Sequence, residues 1–126
     1  MYIERNIIMQ SDIITLPNKI ESRNVLDRKH WAVKRRCKQI WALLIRNQMR
    51  LKKIKECDIE EKFKLCIISY RKKLLDYDNL VGGCKQLIDA CSEEKLIWDD
   101  APKYLDLKVE QHIGKKYETI IIREKV

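Results

Sequence analysis

Between about residues 28 and 55, the apolar side chains Val33, Cys37, Ile40, Trp41, Leu44 and Ile45 recur at three- and four-residue spacing, with Lys34, Arg35, Arg36, Lys38 and Arg46 set between them. That period gathers the apolar groups into one stripe of an amphipathic α-helix and leaves the charges on the other side. The stripe needs a surface to pack on, and the rest of the chain must provide it. The polar side is heavily cationic, which suits either plain solvation or a path along phosphates.

The surface predicted for this helix is a sheet. Ile13 to Leu16 is a short β-branched and apolar run closed by Pro17-Asn18, so it reads as a first strand entering a turn, with Ile7 to Met9 as a candidate partner. Phe63 to Tyr70 alternates apolar and polar residues until Ile67 and Ile68 break the pattern, as in a mostly buried strand. A second helix is predicted over Cys84 to Glu94, where Cys84, Leu87, Ile88 and Cys91 form one stripe, and Gly82-Gly83 reads as a helix interrupter before it. Leu96 to Trp98 ends on Asp99-Asp100-Ala101-Pro102, where the proline turns the chain. Leu105, Leu107 and Val109 alternate with charges, and Gly114-Lys115 leads into Tyr117 to Ile122, which predicts a C-terminal β-hairpin. Trp31, Trp41 and Trp98 are read as core. The expectation is one α+β domain over residues 1–126, a mixed β-sheet with two main helices and a C-terminal hairpin.

Charged residues are 37% of the chain and hydrophobic ones 45%, with three Gly and two Pro, a composition that folds rather than stays disordered. Lys and Arg number 27 against 19 acids, a net charge of +8, which either serves solubility or favours polyanionic partners, nucleic acid first. The five cysteines make no C-x-x-C pair and fit reduced thiols of a cytoplasmic protein. No stretch reaches the ~18 apolar residues of a membrane span, and the N-terminus has no long apolar core, so neither export nor membrane insertion is expected. His30 and His112 lack metal-ligand spacing.

The acids need more thought. If the chain is still extended after Phe63 to Tyr70, Asp76 and Asp78 point to one side and make a cation seat. Asp99 and Asp100 end another apolar run, and folding can bring them to the same place as hard oxygen ligands for Mg²⁺ or Mn²⁺. Clustered carboxylates repel, which a divalent cation relieves, and such a metal can activate water and neutralise charge on a phosphodiester. The same aspartates also serve ordinary turns and caps.

The stretch Asp76 to Lys103 reads D-Y-D-N-L-V-G-G-C-K-Q-L-I-D-A-C-S-E-E-K-L-I-W-D-D-A-P-K. It resembles the signature of the RusA family of Holliday junction resolvases: D-x-D-N-L, a lysine and an aspartate four residues apart on the next helix, then an apolar run closed by D-D. The Gly-Gly insertion is similar to that of phage-borne members. Carried over residue by residue, the resemblance implies Asp76, Asp78 and Asp100 as catalytic ligands of Mg²⁺, Asp99 as a neighbouring ligand, and Lys85 as a catalytic helper. It also implies a substrate of branched DNA, the four-way junction, cut by paired nicks in recombination and repair. Each chain has one such site, so two symmetric cuts imply a homodimer. Arg71, Lys72 and Lys73, just upstream of the site, and Lys34, Arg35 and Lys38 on the long helix are the expected DNA contacts. Asn79 suits either a helix cap or a part in the site, and Asp89 either a plain ion pair with Lys85 or a group that orients it. The rival reading is a non-catalytic basic DNA-binding accessory protein.

Overall fold

The computed structural model describes residues 11–126, so the pairing foreseen for Ile7 to Met9 lies outside the described residues. The centre of the molecule is strand β2, Phe63–Arg71, whose alternate residues Phe63, Leu65, Ile67, Ser69 and Arg71 are all buried. Strand β3, Leu105–Ile113, pairs with it in parallel, and β4, Glu118–Lys125, pairs antiparallel along its other edge. Strand β1, Asp12–Leu16, adds antiparallel to β4, which gives a mixed sheet of order β1-β4-β2-β3.

Both C-terminal strands form as the alternation predicts, but they do not make a hairpin. β2 lies between them. The helical crossover after β2 returns the chain beside one edge of β2 as a parallel neighbour, so β4 takes the free edge. The connection at 114–117 spans two inter-strand gaps of about 4.8 Å each, within reach of four residues and beyond a two-residue turn. The N–H of Gly114 donates to the carbonyl of Arg71 at 2.8 Å, which marks where the connection crosses the end of β2.

Four helices are present among the described residues. Helix α1, Arg23–Asp27, is capped by Ser22, whose Oγ accepts from the N–H of Val25 at 3.2 Å. Helix α2, Trp31–Leu51, is the long amphipathic one; the Nδ1 of His30 accepts from the N–H of Ala32 and caps it. Helices α3, Tyr77–Gly83, and α4, Lys85–Glu93, follow β2. α2 and α4 end alike, on Lys53 (φ 55°) and Lys95 (φ 61°), the left-handed position that glycine usually fills. A side chain there costs about 1 kcal/mol, and the closing bonds from Ile54 N–H to Met49 C=O and from Leu96 N–H to Cys91 C=O hold both turns.

Gly82-Gly83 does not interrupt a helix; it forms the last turn of α3. A Cβ on Gly83 would meet the carbonyl oxygen of Glu21 at 1.9 Å, so the pair lets α3 lie directly on the segment leading into α1. The core joins Ile14, Leu16, Leu65, Ile67, Val109 and Ile121 of the sheet to Trp41, Ile45 and Met49 of α2 and Leu87, Ile88 and Cys91 of α4. Burial pushes the thiols of Cys84 and Cys91 up to about 12, and all five cysteines are free. Trp41 is core, as expected, whereas Trp31 is 63% and Trp98 37% exposed. The buried residues of α2 begin at Trp41, so its first turns run past the elements it packs on and leave Trp31, Val33 and Ile40 exposed. Among the described residues no helix is long and apolar enough to cross a membrane.

Candidate active site

The site begins where β2 ends. Arg71 was expected at the DNA surface, but it is 5% exposed and its guanidinium is used internally. It donates to the carbonyls of Ile20 at 2.6 Å and Lys73 at 3.1 Å and to Ser69 Oγ at 3.3 Å. A buried guanidinium must satisfy its N–H groups inside the protein, and here that requirement fixes the corner by which the chain leaves the sheet. Gln111 of β3 holds the next residues: its Oε1 accepts from Leu75 N–H at 3.0 Å and its Nε2 donates to Leu75 C=O at 2.7 Å. Sequence reasoning missed Gln111. Its signal was a polar residue continuing the inward alternation Leu105, Leu107, Val109 of β3.

One residue later, Asp76 is the N-cap of α3, with φ −58° and ψ 145°. The chain is therefore not extended across D-Y-D, and the period-two argument does not apply. Asp78 stands in the first turn of the helix, where the N–H groups and dipole favour an anion. The Asp76 carboxylate makes no capping bond, and its carbonyl accepts from Leu80 N–H at 3.0 Å. Among the described residues neither the Asp76 nor the Asp78 carboxylate has a hydrogen bond or ion pair within the chain, and both residues are exposed. Asn79 lies inside α3 rather than at its cap.

Lys85 opens α4, and its Nζ lies 3.0 Å from Asp89 Oδ1 and 3.3 Å from Asp100 Oδ2. The first contact is the expected pairing of residues one helical turn apart; the second joins α4 to the turn after Trp98, fifteen residues on. The hydrogen bond to Asp89, with help from Asp100, raises the Lys85 pKa above its ordinary value. The ammonium form thus persists through the neutral range and is lost only as pH rises through that raised value. Asp99 is half-buried and turns back on the chain, its Oδ1 accepting from Asp100 N–H at 2.8 Å. It sets the course of the turn that presents Asp100.

The structure therefore brings together Lys85, Asp89 and Asp100. Asp76 and Asp78 stand at the start of α3, and among the described residues no three His, Cys, Asp or Glu side chains are grouped to hold one metal ion. The donor chemistry nonetheless suits a hard cation: the Asp76 and Asp78 carboxylates are exposed and unengaged, and Asp100 is exposed beside the Lys85 ammonium.

The other expected DNA contacts differ in how free they are. Lys38 pairs with Glu93 of α4 at 2.7 Å, Arg35 stacks over the Trp31 ring at 5.3 Å, and Lys72 lies 5.7 Å over Tyr117. Lys73 is exposed, and Lys34 lines a surface groove beside Lys85. No family model matches the chain, and no curated protein matches it. The functional reading rests on the motif and on the geometry of these side chains.

Proposed function

We propose that this chain is a Mg²⁺-dependent endonuclease of the RusA type that hydrolyses phosphodiesters in branched DNA, the four-way junction above all, with Mn²⁺ as a substitute. The observation that carries this reading is the meeting of Lys85 with Asp100 across fifteen residues, two residues of the signature that follows the D-x-D at the start of α3. A chance turn aspartate has no reason to meet the lysine of the same signature, as Asp100 does. In this reading Asp76, Asp78 and Asp100 hold the metal, with Asp99 supporting the turn and available as a further oxygen ligand. Bound there, the metal supplies an activated water and neutralises charge on the phosphate. Lys85, held by Asp89, donates to a phosphate or leaving oxygen as negative charge develops on it. Asp89 would hold the ammonium in place with Asp100 among the metal's ligands. Arg71 and Gln111 act by positioning the start of α3. Two such chains, related by a two-fold axis, make the paired nicks that a symmetric junction requires.

A second reading has one observation in its favour: Lys85 already closes on both Asp89 and Asp100, as a simple surface ion pair does in a non-catalytic DNA-binding protein. Incubation with a labelled synthetic four-way junction and a matching linear duplex, in Mg²⁺, Mn²⁺ or chelator, separates the two. Metal-dependent nicks confined to the junction are expected. Metal-independent binding with no nicking under either cation would establish the second reading instead.

A further inference from the structure

Beside Lys85 a surface groove of about 330 Å³ runs between α1, α2 and the corner where α3 meets α4, lined by Arg23, Leu26, Asp27, Lys34, Gly82 and Lys85. Its rim is cationic, with Arg23 on α1, Lys34 on α2 and Lys85 on α4 against the single acid Asp27. Its floor is apolar and low. A Cβ on Gly82 would meet Arg23 Cδ at 2.5 Å and Arg23 Cβ at 2.9 Å, so the absent side chain is what lets the Arg23 stem lie across the floor.

Of the three rim cations Lys85 is held by Asp89 and Asp100, whereas Arg23 and Lys34 are not committed inside the protein. The Arg23 Nε sits 3.6 Å from Asp27, with both side chains more than 60% exposed, too long for a hydrogen bond and open to exchange. Lys34 has no ion pair among the described residues. Lys38, one turn further along α2, is by contrast held by Glu93. Trp31 lies three residues before Lys34 and is therefore its neighbour on the helix surface, outside the groove lining and with 63% of its surface exposed. Its ring meets the Arg35 guanidinium at 5.3 Å and the His30 ring at 5.3 Å, both exposed side chains, and it takes no part in the core.

A cationic groove with an exposed aromatic ring one helical turn from one of its cations suits single-stranded nucleic acid: phosphates follow the cations and a base stacks on the ring. We propose that this groove binds an unpaired DNA strand, with Arg23 and Lys34 on its phosphates and Trp31 under a base, and that it delivers the strand to Lys85. The proposal rests on the nucleic-acid reading above, but it concerns binding and needs no metal and no cleavage. It also selects the feature of branched DNA that is read: the strand that leaves the duplex, rather than the duplex arms.

The test is fluorescence anisotropy with a labelled thymidine oligonucleotide and a matching linear duplex, in chelator and over a range of salt. Arg23→Ala with Lys34→Ala should weaken single-strand binding at least tenfold and flatten the log K against log salt slope by about 1.4, two phosphates at about 0.7 each. Trp31→Ala should weaken it about five- to a hundredfold with the slope unchanged, as loss of one stacked base predicts, and duplex binding should change less in both cases. Lys55→Ala with Lys125→Ala, on a different groove, removes the same charge and should weaken binding less than threefold. Arg23, Trp31, Lys55 and Lys125 are exposed and Lys34 is half-buried, and an unchanged thermal transition verifies the fold. Equal losses in the two double variants, or full binding by Trp31→Ala, would overturn the proposal. Loss of junction cleavage with these binding results intact would overturn the nuclease reading alone.

Discussion

Two regions of the molecule set a cation against carboxylates and use it in opposite ways. Arg123 on β4 is 5% exposed; it donates to Asp12 Oδ2 at 2.6 and 3.1 Å and to the carbonyl of Leu96 at 2.9 Å, and its guanidinium lies 4.8 Å over Phe63. Every contact ties one structural element to another: β4 to β1, to β2 and to the chain after α4. Lys85 bridges two carboxylates where Arg123 meets one, but its side chain is 66% exposed and its partners Asp89 and Asp100 are 34% and 39% exposed. Water and solute can displace either contact. Buried and fully satisfied, a cation holds the fold; exposed and raised in pKa, the same type of charge remains available to a ligand. Arg71 belongs with Arg123, although its sequence neighbours Lys72 and Lys73 belong with the surface.

Ways to break that comparison start with the metal side of the site. Asp78→Asn should abolish junction cleavage in Mg²⁺ while junction binding in chelator stays equal or becomes tighter, because one negative charge facing phosphate is removed. Near-normal nicking by this variant, read on a denaturing gel, would remove Asp78 from the site. Lys85→Ala should lower single-turnover cleavage about a hundredfold, the scale seen when one donor to a developing oxyanion is deleted, with thermal stability unchanged. A loss of less than about threefold would make Lys85 a surface ion pair and erase the functional half of the comparison.

The structural half predicts the reverse pattern. Arg123→Ala should destabilise the fold by about 3 kcal/mol in denaturant titration, since it strips partners from Asp12 and a buried carbonyl, and it should leave the salt dependence of DNA binding as it was. Arg71→Ala should likewise cost stability; if it instead flattens the salt slope without destabilising, its guanidinium reaches phosphate and the corner at Lys73 opens in solution. The smallest effect is expected at the surface pair of Lys38 and Glu93, where Lys38→Ala should change stability by about 0.5 kcal/mol. A larger change would mean that pairs on the α2–α4 seam are not screened as their exposure suggests.

How far the candidate site was legible varies by residue. The D-x-D, K-x-x-x-D and D-D spacings single out Asp76, Asp78, Lys85, Asp89 and Asp100 before any folding, and the contact of Lys85 with Asp100 is the tertiary counterpart of that spacing. The geometry around Asp76 was not legible, because a five-residue loop after β2 and an N-cap look like an extended segment when only the acids are read. Gln111, which holds that loop, is called for by a partner 36 positions away.

Local pattern decided the identity of the elements: alternation marked β2 and β3, apolar runs bounded by turn residues marked β1 and β4, and period 3.6 marked α2 and α4, because side-chain direction follows from backbone geometry alone. The α+β class follows from those elements and their order. Only the tertiary structure decided that β4 pairs on the far side of β2 rather than with β3, that Arg71 turns inward while Lys72 and Lys73 do not, and that Trp31 is left in solvent while Trp41 is buried. Those outcomes depend on which edge is already occupied, which carbonyls need a donor and where a helix outruns its support. All three are properties of distant residues meeting, and no window of sequence contains them.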